Sequence, residues 1–233
     1  MIGSIGEGQT GAPGVLLVLH DVAAGADEEF NRWYQEQHVS ERLAVAGFRT
    51  ARRYRAVSSG PAYMAVYECD SIDVLASKAY RDRLASPTDW TRKVMPDFRN
   101  MLRSACRQTW SAGIGVGGGA IVVQCKPEPG REDRARRFVK DRLTSDLMRR
   151  TALVRMALWE ADASFTGGPS PEMALRGGSD KSADWILFLE SFDLAQSASA
   201  MVAGALADGA GEAGLLLHSW NEYRLMHARW RDV

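Results

Sequence analysis

Two histidine-centred sets in this chain carry residue types suited to proton transfer. His20 interrupts the apolar run Val15 to Val22 (VLLVLHDV), and Glu68 lies near the end of a second such run, Ala62 to Asp70 (AYMAVYECD). If those runs are neighbouring central strands, a polar side chain from each can meet across one sheet face. A carboxylate beside an imidazole raises its pKa and orients it, as general acid–base catalysis requires. The competing reading makes Glu68 a solvent-facing strand end and His20 a hydrogen-bonded core residue. Tyr34 and His38 form the second set, four residues apart and therefore adjacent on a helix. A tyrosine can donate to a developing oxyanion while a histidine takes a proton, which suits enolisation of a carbonyl compound. Here the plain alternative is that both side chains only close a helix–sheet core.

Binding groups lie close by in sequence. Arg49, Arg52, Arg53 and Arg55 crowd one predicted strand, and Tyr54 shares the Arg52 face by the two-residue period. Of the four, Arg52 is the one expected to neutralise an anionic substrate or enolate, and the others read as a solvated strand surface. Trp33 reads as lining for an apolar pocket, which would suit a planar hydrophobic ligand.

These residues must be held by a small set of elements. Phe30, Trp33, Tyr34, Gln37 and Glu41 share one helical face, while Val39 and Leu43 lie opposite. That conflict predicts a bend just after His38, with Ser40 as a cap, so that His38 sits near a helix C-terminus where imidazolium is favoured. Gly47 closes the segment, and Phe48 to Val57 and Ala62 to Asp70 form a hairpin across Ser58-Ser59-Gly60-Pro61. A helix over Ile72 to Leu84, a shorter one around Asp89 to Phe98 and a strand near Leu102 to Trp110 complete the order βαββαβ.

The pattern then returns. After Ile114 to Gly119 (IGVGGG), strands are predicted at Ala120 to Cys125, Ala152 to Glu160, Trp185 to Ser191 and Leu215 to Met226, with helices at Glu132 to Leu147 and Asp193 to Ala207. Tyr63 to Cys69 (YMAVYEC) matches Trp185 to Ser191 (WILFLES), placing Glu190 where Glu68 stands. This reads as an internal duplication with unequal copies: Cys125 falls at His20, Phe138 and Val139 at Trp33 and Tyr34, and Leu143 at His38. The first copy therefore owns the candidate site. The expected division is a tail over 1–13, a first unit over 14–112, a glycine-rich linker over 113–119 and a degenerate second unit over 120–227. The stretch from Phe165 to Ser182, rich in glycine and proline, is expected to be a mobile loop that covers an opening.

Trp33-Tyr34, His38, Glu41-Arg42-Leu43, Phe48 and Arg52-Arg53-Tyr54 together resemble the EthD-like branch of the dimeric α+β barrel superfamily, with Ser40 where members usually carry proline. The resemblance implies an α+β fold, two tandem ferredoxin-like units forming an intramolecular barrel, with His38 and Tyr34 near the barrel mouth. It also implies a range of activities, among them cofactor-free monooxygenases, isomerases, cyclases and haem enzymes.

Composition narrows this range. Acidic and basic residues balance at 29 each among 233, which argues against nucleic acid as a partner. Cys69, Cys106 and Cys125 show no disulfide or zinc spacing and read as reduced cysteines of a cytoplasmic protein, with no membrane-spanning segment. The glycines of IGVGGG precede a strand, so they do not match a dinucleotide fingerprint. The expected function is cofactor-free proton transfer on a small carbonyl-bearing or aromatic substrate, in a chain that could pair as a homodimer. Its alternatives are a binding or accessory protein of the same fold, and a haem protein using His20 or His38 as ligand.

Overall fold

The structure, a computed structural model, describes residues 11–57, 59–150, 152–165, 170–177, 180–192, 194 and 196–232. Most of the expected tail, 1–10, lies outside the described residues. Eight antiparallel strands close into a barrel in the order β1-β3-β2-β8-β5-β7-β6-β4. They are β1 Gly14–Val22, β2 Phe48–Ala56, β3 Tyr63–Cys69, β4 Phe98–Gly113, β5 Gly119–Pro127, β6 Leu153–Ala161, β7 Trp185–Ser191 and β8 Leu215–Trp230. The order β4-β1-β3-β2 in the first half recurs as β8-β5-β7-β6 in the second. The halves join where β2 pairs with β8 and β4 with β6. No helix among the described residues is long and apolar enough to cross a membrane.

Strand alternation divides the side chains into two environments. Val15, Leu17, Met64, Val66, Val122 and Phe188 fill the barrel interior, while Leu16, Val18, Ala65 and Tyr67 face the helices packed outside the first half. The barrel is thus a filled core, and the helix layer lies over its outer surface.

The segment over Tyr34 does not break as expected. Helix α1 (Asp27–Trp33) runs through a π-helical turn, Tyr34–His38, directly into α2 (Val39–Leu43). The widened turn resolves the two-faced pattern by rotating the following residues, so Phe30, Trp33, Val39 and Leu43 are all buried in one cluster. Ser40 therefore lies inside the helix and caps nothing; its hydroxyl accepts a hydrogen bond from Arg229 at 2.5 Å. The chain leaves α2 through Gly47, whose φ of +92° lies in the left-handed region and whose missing Cβ makes room for Val74. A matching π-helical turn, Phe138–Leu143, links α5 (Glu132–Arg137) to α6 (Thr144–Arg150) in the second half.

The remaining helices are α3 (Lys78–Ala85), α4 (Asp89–Val94), α7 (Pro171–Ala174), α8 (Gln196–Ala207) and α9 (Ala210–Ala213). Ile72 to Leu84 is two pieces. A 3₁₀ segment, Ile72–Ala76, ends at Ser77, whose hydroxyl accepts from the Tyr80 amide and starts α3. Within the stretch read as a loop, the described residues form the helical turn α7, capped by Ser170.

Candidate functional site

The strand register separates His20 from Glu68. His20 pairs with Tyr63 and Glu68 with Val15, so they stand at opposite ends of the β1–β3 ladder. Directly opposed residues share a face, and Glu68, five residues beyond Tyr63, falls on the other one. The expected acid–base pair is therefore corrected: His20 points to the helix layer and Glu68 to the barrel interior. His20 packs among Phe30, Tyr63 and Phe98, with ring centroids 5.2, 5.6 and 4.6 Å away. Its Nδ1 lies 3.1 Å from the Asp21 carbonyl. Burial pushes its pKa down to about 3, against a smaller upward pull from that carbonyl.

Arg52, Tyr54 and Glu68 share the interior face, as the two-residue period predicts, but they meet there as an ion cluster. Arg52 donates to both carboxylate oxygens of Glu190 at 2.9 and 2.8 Å and to Glu68 at 2.7 Å. Tyr54 donates to Glu190 at 3.1 Å, and Arg155 pairs with Glu68 at 2.6 Å. Burial opposes charge on Arg52, and Tyr54, Glu68 and Glu190 outweigh it. Burial also opposes charge on Glu68, but Arg52 and Arg155 hold its carboxyl below the usual range. The carboxylates are paired within the cluster, only Arg52 Nε lacks a partner among its guanidinium nitrogens, and apolar side chains fill the space around it.

The cavity that gathers chemistry lies outside the barrel, between the first half's sheet and its helices. It has a volume of about 50 Å³, and Tyr34, His38, Arg42, Tyr67, Tyr80 and Glu172 are among the residues lining it. Tyr34 and His38 reach it because the π-helical turn places both on the sheet side, buried at 2 and 5 % exposure. Trp33 stands behind His38, its ring centroid 4.2 Å from the imidazole and its Nε1 donating to Thr91 Oγ1 at 3.3 Å. It is a supporting wall and does not line the cavity.

The electrostatics of His38 reverse the sequence expectation. The imidazole sits mid-helix, and burial, followed by the charges of Arg42, Arg53, Arg83 and Arg176, holds its pKa well below the ordinary value. It is a neutral base in the resting protein. Its Nδ1 has no hydrogen-bond partner, and nor does Arg42 Nη1. Tyr67 donates to the Tyr34 hydroxyl at 3.2 Å, and burial raises the pKa of both phenols, keeping them protonated. Arg53 packs its guanidinium 4.0 Å from the Tyr34 ring centroid and donates to Asn31 at 2.8 Å.

Arg42, one helical turn beyond His38, is a cavity residue that the sequence reading did not single out. It is 3 % exposed and pairs with Glu172 of α7, contributed by the second half. Burial works against its charge, and Glu172 and Tyr80 more than offset this, so Arg42 stays a cation. The four-residue spacing from His38 was a signal available in the sequence. Its partner, 130 residues away, was not. A second cavity of about 400 Å³ adjoins the first, sharing Tyr80, Leu84 and Arg103 and walled in part by Phe165, Ser170 and Pro171.

No protein-family profile matches the sequence. No curated protein matches it either. Solved structures do match in fold. A candidate monooxygenase from Fusobacterium nucleatum subsp. nucleatum superposes with a TM-score of 0.61 at 10% identity, over 95% of this chain and 96% of that one. An anthrone oxidase-like protein gives 0.58 at 11% identity, over 97% and 94%. A mutant chlorite dismutase from Candidatus Nitrospira defluvii gives 0.56 at 9% identity, over 94% and 92%. The chain has the eight-stranded fold of the dimeric α+β barrel proteins, formed here within one polypeptide.

That fold includes a haem-binding protein from Thermus thermophilus, and the surroundings of the two buried histidines bear on whether either could hold the group. The space beside His38 is about 50 Å³, enough for a few water molecules. Its Nδ1 has no acceptor of the kind that orients an axial histidine. His20 is enclosed by three aromatic rings. In this arrangement neither histidine fits a haem. No group of three or more His, Cys, Asp or Glu residues suited to a metal ion occurs among the described residues.

Proposed function

We propose that the cavity beneath α1 and α2 catalyses proton transfer on a small carbonyl-bearing or aromatic compound, without a resident cofactor, in a duplicated chain of the EthD-like branch. One observation carries this reading: a neutral imidazole with a nitrogen lacking any partner shares a cavity with a hydrogen-bonded tyrosine pair and a buried arginine. The recurrence of one strand order and one π-helical turn in both halves supports the duplication, and the Trp33 to Tyr54 motif supports the branch.

In the proposed step His38 takes a proton from a C–H adjacent to a carbonyl. The electron pair moves onto the carbonyl oxygen, which receives a hydrogen bond from Tyr34, itself supported by Tyr67. The low basicity of His38 limits substrates to activated C–H groups such as those of 1,3-dicarbonyls or hydroxyanthrones. Charge supplies the compensation: the enolate forms among the cations that hold His38 neutral, and the new anion favours the imidazolium. Return of the proton to another carbon gives isomerisation, and the same carbanion is the precursor for cyclisation or reaction with oxygen.

The test is solvent deuterium exchange into enolisable 1,3-dicarbonyl compounds, followed by NMR. The wild-type protein should accelerate exchange, and His38→Leu should remove about two to four orders of magnitude of it. Equal exchange by both proteins would refute the proposal. A binding protein without turnover is the second reading, favoured by the seating of Glu172 on Arg42, which closes the cavity. Ligand binding with no exchange in any variant would select it.

A further inference from the structure

Glu172 is a carboxylate brought from the other half of the chain to a cation inside the candidate cavity. It is 5 % exposed and hydrogen-bonded to Arg42, which is itself 3 % exposed. Three nitrogens on residues lining this cavity lack any partner: His38 Nδ1, Arg42 Nη1 and Arg176 Nε. Buried donors are ordinarily satisfied, and the unpartnered Arg42 Nη1, beside a guanidinium nitrogen already held by a carboxylate, leaves a donor for an acceptor that the protein does not itself provide. Among the residues lining it, arginines 42, 103 and 176 outnumber the single carboxylate, Glu172. Arg176 is paired with Asp180 at 2.6 Å and Arg103 donates to Tyr80 at 3.3 Å, which leaves Arg42 as the cation whose carboxylate comes from α7.

The segment that carries Glu172 also forms the wall. Met173 lines the smaller cavity, and Ser170 and Pro171 line the adjoining one of about 400 Å³. Moving α7 outward would remove Glu172 from Arg42 and join the two spaces into one of the size that small-molecule sites occupy.

We infer that Arg42 anchors a carboxylate-binding subsite which Glu172 fills in the closed protein, and that the ligand is a small organic acid whose own carboxylate displaces Glu172. This rests on the proposed function and adds its substrate class: an acid with its carboxylate on Arg42 and its reactive carbon toward His38. A planar carboxylate suits the seat because one already occupies it, and the fork of the guanidinium matches two oxygens. Displacement of an internal carboxylate by an external one conserves charge in the cavity, so opening leaves no buried arginine unpaired.

The experiment is calorimetric titration of the full chain with benzoate and, as the uncharged control, benzamide. Glu172→Gln removes the internal competitor and should tighten benzoate binding at least about tenfold while leaving benzamide unchanged. Adding Arg42→Met should abolish the gain. If that double variant does not fold, Arg42→Met with Glu172→Met leaves no buried charge without a partner and should equally show no gain. Benzoate affinity indifferent to Glu172→Gln, or a gain that persists without Arg42, would overturn the inference. The two readings fail separately. Normal deuterium exchange with no benzoate effect removes the subsite alone. A benzoate effect with no exchange removes the proton transfer alone.

Discussion

Arg52 and Glu190, 138 residues apart, meet inside the barrel through two hydrogen bonds of 2.9 and 2.8 Å. One comes from β2 of the first half and the other from β7 of the second, so the contact ties the halves through the barrel core as well as along the seams. Arg52 is 1 % exposed and Glu190 is fully buried. Arg52→Met should therefore destabilise the protein by about 3–5 kcal/mol, since it leaves a buried carboxylate with only the Tyr54 hydroxyl at 3.1 Å and Arg155 at 3.8 Å. Arg52→Met with Glu190→Met should recover much of that loss, because an apolar pair in an apolar surround needs no compensation. Urea denaturation of both variants measures it. A single substitution costing less than about 1 kcal/mol would show that the interior admits water.

The arrangement of that cluster shows what the sequence made legible. Glu68 and Glu190 were recognisable as equivalent from YMAVYEC and WILFLES, and the registers agree: Gly14 to His20 pair with Cys69 to Tyr63 as Gly119 to Cys125 pair with Ser191 to Trp185. Apolar runs and strand order were readable because burial imposes them locally. The facing of His20 was not, since one residue of register exchanges the two faces of a strand. The π-helical turn was visible only as a conflict between two helical faces, which a kink would also have explained. Arg42 with Glu172 was beyond reach because its second half lies in a stretch with no periodicity to place it.

The buried histidines make stability depend on pH in a defined direction. His20 and His38 both have folded pKa values depressed below the ordinary 6.5, the first to about 3. Below pH 6.5 the unfolded chain binds protons that the folded chain refuses, so their contribution is complete above that value and is lost as pH falls. Each can remove up to about 1.4 kcal/mol per pH unit. Between pH 6.5 and 5, His227, whose pKa burial also lowers, adds to the decline and Glu41, whose carboxyl burial raises, opposes it, so the share of His20 is read from the difference between variant and wild type. His20→Leu should flatten the decline of the urea midpoint across this window. An unchanged slope would mean that His20 is not held neutral by burial.

Tyr67 donates to Tyr34, and the pair sets a graded expectation. If Tyr34 supports the developing oxyanion, Tyr34→Phe should lower turnover by about two to three orders of magnitude, as loss of an oxyanion donor does. Tyr67→Phe leaves that donor present but less well oriented, and should cost far less, with KM unchanged. Steady-state rates of exchange or conversion on one enolisable substrate give the comparison. Equal losses from both substitutions would point to a packing role for the pair.

The decisive variant is His38→Leu, because the protein contains its own control. Leu143 ends the second half's π-helical turn as His38 ends the first, and it is buried at 1 % exposure in an apolar cluster. The scaffold thus accepts leucine at this place in the turn. Replacing His38 removes an imidazole whose Nδ1 has no hydrogen-bond partner, so little is lost in the folded state and the unfolding free energy from urea denaturation near pH 7 should change by less than about 1 kcal/mol. A positioned base contributes about two to four orders of magnitude, and turnover should fall by that much with the fold intact. A histidine kept for packing alone would give the opposite pattern, a marked loss of stability with turnover per folded molecule unchanged. That outcome would remove His38 from the site and assign the proton transfer to another group.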